Sequence, residues 1–124
     1  MALKMRKSAV SEPREGLCPI GTCMALIGGA WTPNIIWYLS GGARRFSELR
    51  SDIKPVSAKM LSTRLKELEE KGIVDRSVVD SSPPSVEYSL TSLGRELVPA
   101  IEAIAHVGYK LKKEVQRRKM FVAR

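Results

Sequence analysis

The sequence predicts a mainly α-helical fold that carries one small β-hairpin. Three observations predict it. Residues 47–72 read as a helix, a short proline-bearing turn and a second helix. Two β-rich segments, 73–79 and 86–91, follow at once around the polar, proline-bearing turn Asp80–Ser85. A long amphipathic segment then closes the chain. Helix, turn and helix followed by a hairpin is the order of a winged helix-turn-helix, in which the second helix of the motif enters the DNA major groove.

The totals are consistent with this. A chain of 124 residues suits one domain with one modest core. It is 44% hydrophobic and 27% charged, a globular balance. No apolar run approaches the ~18 residues of a membrane span. The first residues, MALKMRKSAVSEPREG, lack the apolar stretch of a signal peptide. A loose tail over 1–16, a domain over 17–108 and a cytoplasmic location are therefore expected. Residues 109–124 are expected to finish the last helix and continue as a basic tail.

Each element has its own signals. Pro19 suits the first position of a helix, and Ile20, Cys23, Met24 and Ile27 recur on one face of it. Gly28-Gly29 ends that helix. Thr32 is expected to cap a second, largely buried one, NIIWYLS, which Gly41-Gly42 breaks. Ala43–Phe46 is short enough to be an extended segment. Ser47 is expected to cap a third helix over 48–53, before Pro55 forces a turn. Ser57 caps the fourth, and Gly72 terminates it. After the hairpin, Thr91 caps a long last helix that Pro99 is expected to kink. Along it Leu97, Ile101, Ile104, Leu111 and Val115 recur at spacings of three and four, with Gly108 filling one step.

Charge then points to a partner. The net +8 suggests an acidic one such as nucleic acid. The charge is localised: residues 43–66 hold seven basic and two acidic side chains, and 110–124 hold seven and one. The intervening 67–109 hold three and eight. The fourth helix, within VSAKMLSTRLKELEEKGIV, shows the same polarity. Its leucines, Leu61, Leu65 and Leu68, share one sector of a helical wheel with Ala58. Lys59, Met60, Thr63, Arg64 and Lys66 lie outside that sector and, with Ser57 at the cap, are expected to face the groove. Its basic half is the N-terminal half, where N–H groups and the dipole favour phosphate. Glu67, Glu69 and Glu70 stay towards the far end. Arg64 is the first choice for guanine, because its fork can bond O6 and N7 together. Arg44, Arg45 and Arg50 are phosphate candidates, with Arg45 equally suited to a structural ion pair. Arg76 is the basic candidate of the wing.

The motifs together resemble the HxlR-type regulators, winged-helix transcription factors of bacteria and archaea related to the MarR group. The resemblance runs through Cys18-Pro19, Ile27-Gly28-Gly29-Ala30-Trp31, Arg45-Phe46-Ser47-Glu48-Leu49 and Ser57-Ala58-Lys59-Met60-Leu61. It continues through Leu65-Lys66-Glu67-Leu68-Glu69, Gly72-Ile73-Val74, Pro83–Thr91 and Leu93-Gly94. It implies a homodimer on an inverted-repeat operator, joined through the first and last helices. Ile20, Met24, Leu97, Ile101, Ile104, Leu111 and Val115 are the dimer candidates. Two positions depart from the family. Ala30 stands where a lysine is common, and Ser85 stands where the wing often carries a cation.

Cysteine and histidine usage excludes other classes. Cys18 and Cys23 lie in one segment and cannot staple a domain, and His106 stands alone. No metal-ligand spacing is present, so neither metal nor cofactor is expected. Cys18 lies where a helix begins, a setting in which cysteines react as thiolate. The resemblance implies an oxidant or electrophile sensor there; the plainer reading, a small, buried and inert cysteine, ranks first. Cys23 is expected to pack in the core. Trp31 and Trp37 also read as core, with a small-molecule effector pocket as the other reading. Two further functions compete with DNA binding. A protein-interaction module would need an apolar patch on the fourth helix, whose free face is instead polar and basic. An enzyme would need a nucleophile–base set, a phosphate loop or a metal cluster, and the sequence contains none.

Overall fold

A computed structural model of the chain describes residues 18–122; the expected N-terminal tail lies outside them. The elements are α1 (Pro19–Ile27), α2 (Thr32–Leu39), β1 (Arg44–Arg45), α3 (Phe46–Asp52), α4 (Ala58–Glu70), β2 (Val74–Val79), β3 (Ser85–Leu90), α5 (Ser92–Glu96) and α6 (Val98–Val122). The strands form one antiparallel sheet in the order β1-β3-β2. The fold is a winged helix-turn-helix: α3 and α4 are the motif, and β2–β3 is the wing.

Local chemistry places most boundaries. Pro19 opens α1 without wasting an N–H. The Ser57 hydroxyl accepts the Met60 N–H at 3.1 Å and opens α4. Gly72, at φ +76, closes α4: its N–H reaches the Glu69 carbonyl at 3.1 Å, and the Ile73 N–H reaches Leu68 at 2.9 Å. Two orphan carbonyls are thereby satisfied, and the chain turns directly into β2. Thr91 joins the far end of the wing to the same place. Its hydroxyl donates to the Gly72 carbonyl at 2.6 Å and accepts the Gly94 N–H at 3.0 Å.

One core holds these elements. Ile35, Ile36 and Leu39 of α2, Leu49 of α3, and Leu61, Leu65 and Leu68 of α4 are all buried in it. Val74 and Leu90, opposite each other in the sheet register, close it beneath the wing. Trp31 and Trp37 pack against its edge, as expected from the sequence.

Four boundary expectations are corrected. Trp31, not Thr32, is the N-cap of α2; it lies in the left-handed region at φ 72, and Thr32 is buried inside the helix. A tryptophan there costs roughly 1 kcal/mol or more of backbone strain, which its packing on the core opposes. Helix α3 begins at Phe46 rather than after Ser47, because the Glu48 carboxylate accepts the Arg45 N–H at 2.8 Å. The long last helix is two helices rather than a kinked one. A proline at position 99 lacks the N–H that would bind the Arg95 carbonyl, so α5 ends at Glu96 and α6 restarts with Pro99 in its first turn. Finally, the expected basic tail is helical: α6 continues to Val122.

Candidate nucleic-acid interface

Helix α4 is attached by one face and open on the other. Leu61, Leu65 and Leu68, at 0%, 1% and 2% exposure, anchor it. Ser57, Lys59, Thr63 and Lys66 are exposed, or in part so, on the open side, and Met60 is half-buried against the core. Ser62 is exposed on the same side. It was not among the residues expected from sequence, although its place three residues after Lys59 and four before Lys66 is a usable signal. The open face thus carries two ammonium groups and three hydroxyls, one of them the capping Ser57, the donor set that meets phosphates and base edges.

Arg64 is placed differently from the expectation. Its Nε–H donates to the Ala30 carbonyl at 3.0 Å, and its Nη1 to Glu67 Oε1 at 2.9 Å. Both bonds turn the guanidinium towards the α1–α2 corner. On the wheel Arg64 borders the leucine sector, and that border position is what brings it against the corner.

The arginines before α3 exchange roles. Arg44, not Arg45, makes the structural ion pair, with Nη2 donating to Asp52 Oδ2 at 2.6 Å. Arg44 is thus a paired cation, its side chain 36% exposed. Arg45 is exposed, opposite Glu87 in the sheet register. Arg50 is exposed as expected and shares a cleft of ≈ 520 Å³ with Ser47, Ser51 and Lys54. Lys54 is a further cation, one that the sequence gave no reason to single out. Arg76 is exposed on β2, opposite Tyr88.

The dimer candidates divide. Ile20 and Met24 on α1, and Ile104, Leu111 and Val115 on α6, are all more than half exposed. Ile101 belongs to the monomer core at 4% exposure, and Leu97 is partly buried against it. Ile101 lies where the start of α6 packs on α2 and is not free for a partner. The end of α6 is strongly basic. There Glu114 accepts bonds from Arg117 at 2.6 Å and Arg118 at 2.9 Å, which hold its carboxyl below the usual range.

Both cysteine expectations are corrected. Cys18 and Cys23 are exposed. The apolar periodicity of α1 is real, but only Ile27 of that helix is buried. His106 is an exposed helix residue, as expected.

A helix-turn-helix with a basic polar face on its second helix, flanked by a three-stranded wing sheet, defines the winged-helix class of transcription regulators. The family model of the HxlR-like helix-turn-helix matches residues 26–116. The chain belongs to that family. It is 38% identical over 107 residues to the uncharacterized HTH-type transcriptional regulator YdeP of Bacillus subtilis (strain 168), covering 86% of this chain and 83% of YdeP. A MarR-family transcriptional regulator from Porphyromonas gingivalis W83 is similar in structure at a TM-score of 0.74 and 36% identity; the match covers 80% of this chain and 97% of that one. The redox regulator HypR in its oxidized form matches at a TM-score of 0.72 and 38% identity, over 75% of this chain and 96% of that one. Among the described residues, no helix is long and apolar enough to cross a membrane.

Proposed function

We propose that this HxlR-type transcriptional regulator binds a specific inverted-repeat operator as a homodimer in the cytoplasm, and that its role is binding rather than catalysis. One observation carries the reading: the open face of α4 presents Lys59, Ser62, Thr63 and Lys66 from a helix anchored by three buried leucines. A rigid helix with hydroxyls and ammonium groups on its free face suits the major groove. An interaction module without DNA would need an apolar surface there. Arg45, Arg50 and Lys54 then neutralise backbone phosphate beside the groove, with Arg76 approaching from the wing. The exposed apolar residues of α1 and α6 support pairing of two copies, which matches the two-fold symmetry of an inverted repeat.

Lys66→Ala tests the electrostatic half of this. Operator affinity, measured by fluorescence anisotropy across a salt series, should weaken for all sequences alike. The log–log salt slope should flatten by about one unit. An unchanged slope would remove Lys66 from the interface.

A second activity rests on Cys18. Its thiol is exposed at the N-cap of α1, and a redox regulator stands among the structural neighbours. In this reading, oxidation or alkylation of Cys18 changes α1, one of the two proposed dimer helices, and so alters operator binding. N-ethylmaleimide treatment should lower operator affinity in the wild type and in Cys23→Ser, but not in Cys18→Ser. An equal response in all three would exclude Cys18 as the sensor.

A further inference from the structure

We propose that Arg64 is a positioning residue: it sets the angle of α4 against the α1–α2 corner, and specific binding depends on that angle rather than on an Arg64–base contact. The proposal rests on the DNA reading above.

The leucines that attach α4 make apolar contacts, which are non-directional. They press one face of the helix onto the core, and the Arg64 bonds add a directional contact at its border. The Arg64 fork supplies direction. A guanidinium is planar, and its donors have a fixed geometry. One arm takes the Ala30 carbonyl at 3.0 Å, thirty-four residues earlier in the chain; the other takes Glu67 at 2.9 Å, one turn further along α4. Together these bonds hold the guanidinium at two of its nitrogens. The Arg64 side chain is 22% exposed and that of Glu67 48%, so the fork lies at the surface edge of the corner.

The corner is built to receive it. Trp31, in the left-handed conformation, turns the chain sharply at this point, next to the carbonyl that Ala30 offers. A Cβ at Gly29 would meet the guanidinium at 3.5 Å, ordinary van der Waals contact, so the corner lies close against Arg64. Leu26, Thr32, Glu67 and Lys71 line the adjoining cleft of ≈ 270 Å³, with Arg64 as one wall. The guanidinium is thus occupied on the side away from Lys59, Ser62 and Lys66. Two of its five N–H groups are committed to these bonds, which hold its plane at the corner rather than in line with Lys59 and Lys66.

The test compares specific with non-specific binding. An operator is selected from genomic fragments with the wild-type protein. Affinities are then measured at 25 °C and fixed salt for that operator, for its single-base-pair variants and for an unrelated duplex. Arg64→Ala should lose about tenfold or more in operator affinity, in equal proportion across the base-pair variants. Its affinity for unrelated DNA and its salt slope should stay those of the wild type. Arg64→Lys keeps the charge but not the fork, and should show the same loss. Glu67→Ala removes one of the two bonds through an exposed side chain, and should show a smaller loss of the same pattern; it carries the test if Arg64→Ala does not fold. Relaxed discrimination at a single base pair would overturn the proposal in favour of direct reading. A salt slope flatter by about one unit would overturn it in favour of a phosphate contact. A lowered melting temperature with intact operator affinity would reduce Arg64 to a stabilising role and overturn it as well. Wild-type binding with no sequence preference would overturn the DNA reading itself, and this proposal with it.

Discussion

Gly94→Ala should lower stability by about 3 kcal/mol, the upper part of the range for forcing extra atoms into a packed site. Gly94 is buried in α5, beneath the root of the wing. A Cβ there would lie 2.2 Å from the Ile73 carbonyl oxygen and 3.2 Å from a Leu90 methyl. The first obstacle is backbone, and the Thr91 N–H and hydroxyl both bond that same carbonyl, at 3.0 and 3.2 Å. It cannot yield without disturbing the junction of β2, β3 and α5. Helix propensity alone argues the other way, since alanine is favoured over glycine by about 1 kcal/mol. The sign of the effect therefore separates packing from propensity. Urea unfolding measures it; an unchanged or raised midpoint would show that α5 shifts at little cost.

Leu65→Ala should cost about 2–5 kcal/mol, the usual range for truncating a buried leucine. Leu65 is 1% exposed and is the middle leucine of the three that anchor α4. Domains of this kind hold only ~5–15 kcal/mol in all, so this change alone approaches the folding limit. Operator affinity should fall together with thermal stability. The adjacent Lys66→Ala should leave stability within about 0.5 kcal/mol, because Lys66 is exposed. Comparable melting temperatures for the two variants would contradict the burial pattern of α4.

Much of the fold was legible because its boundaries are local chemistry. Pro19, Ser57 and Gly72 act within four residues of themselves and do what the sequence suggested, and Thr91 caps a helix as expected, although a short one. The β-rich hairpin around Pro83 and Pro84 was readable for the same reason. Tertiary partners were not. Arg64 and Arg44 find their partners thirty-four and eight residues away, and no helical wheel contains both ends. Periodicity also has a blind side. In α1 it marks an apolar face correctly, but a face buried inside the monomer and a face left open read identically. Cys23, Ile20 and Met24 are the open case and Ile27 the buried one. The reverse holds in α6, where Ile101 fits the same stripe as Ile104 and Leu111 yet lies in the core. For the candidate interface, the residue types on α4 were readable, but which of them stayed free was decided by the α1–α2 corner.

The stitched base of the hairpin makes the wing a cantilever. At its root, Ile73, Val74 and Leu90 are buried, and Thr91 ties Gly72 to Gly94. Towards its end, Val78 is 63% exposed and Pro83 and Pro84 are exposed. Six residues of strand carry that end about 20 Å from the root. A beam held this way magnifies small rotations at its support. β1 pairs with β3 as far as Glu87, so the outer part of the hairpin is the free arm, and a small rotation at this support is carried to the tip. The residues that govern where the wing tip points therefore include some at its root.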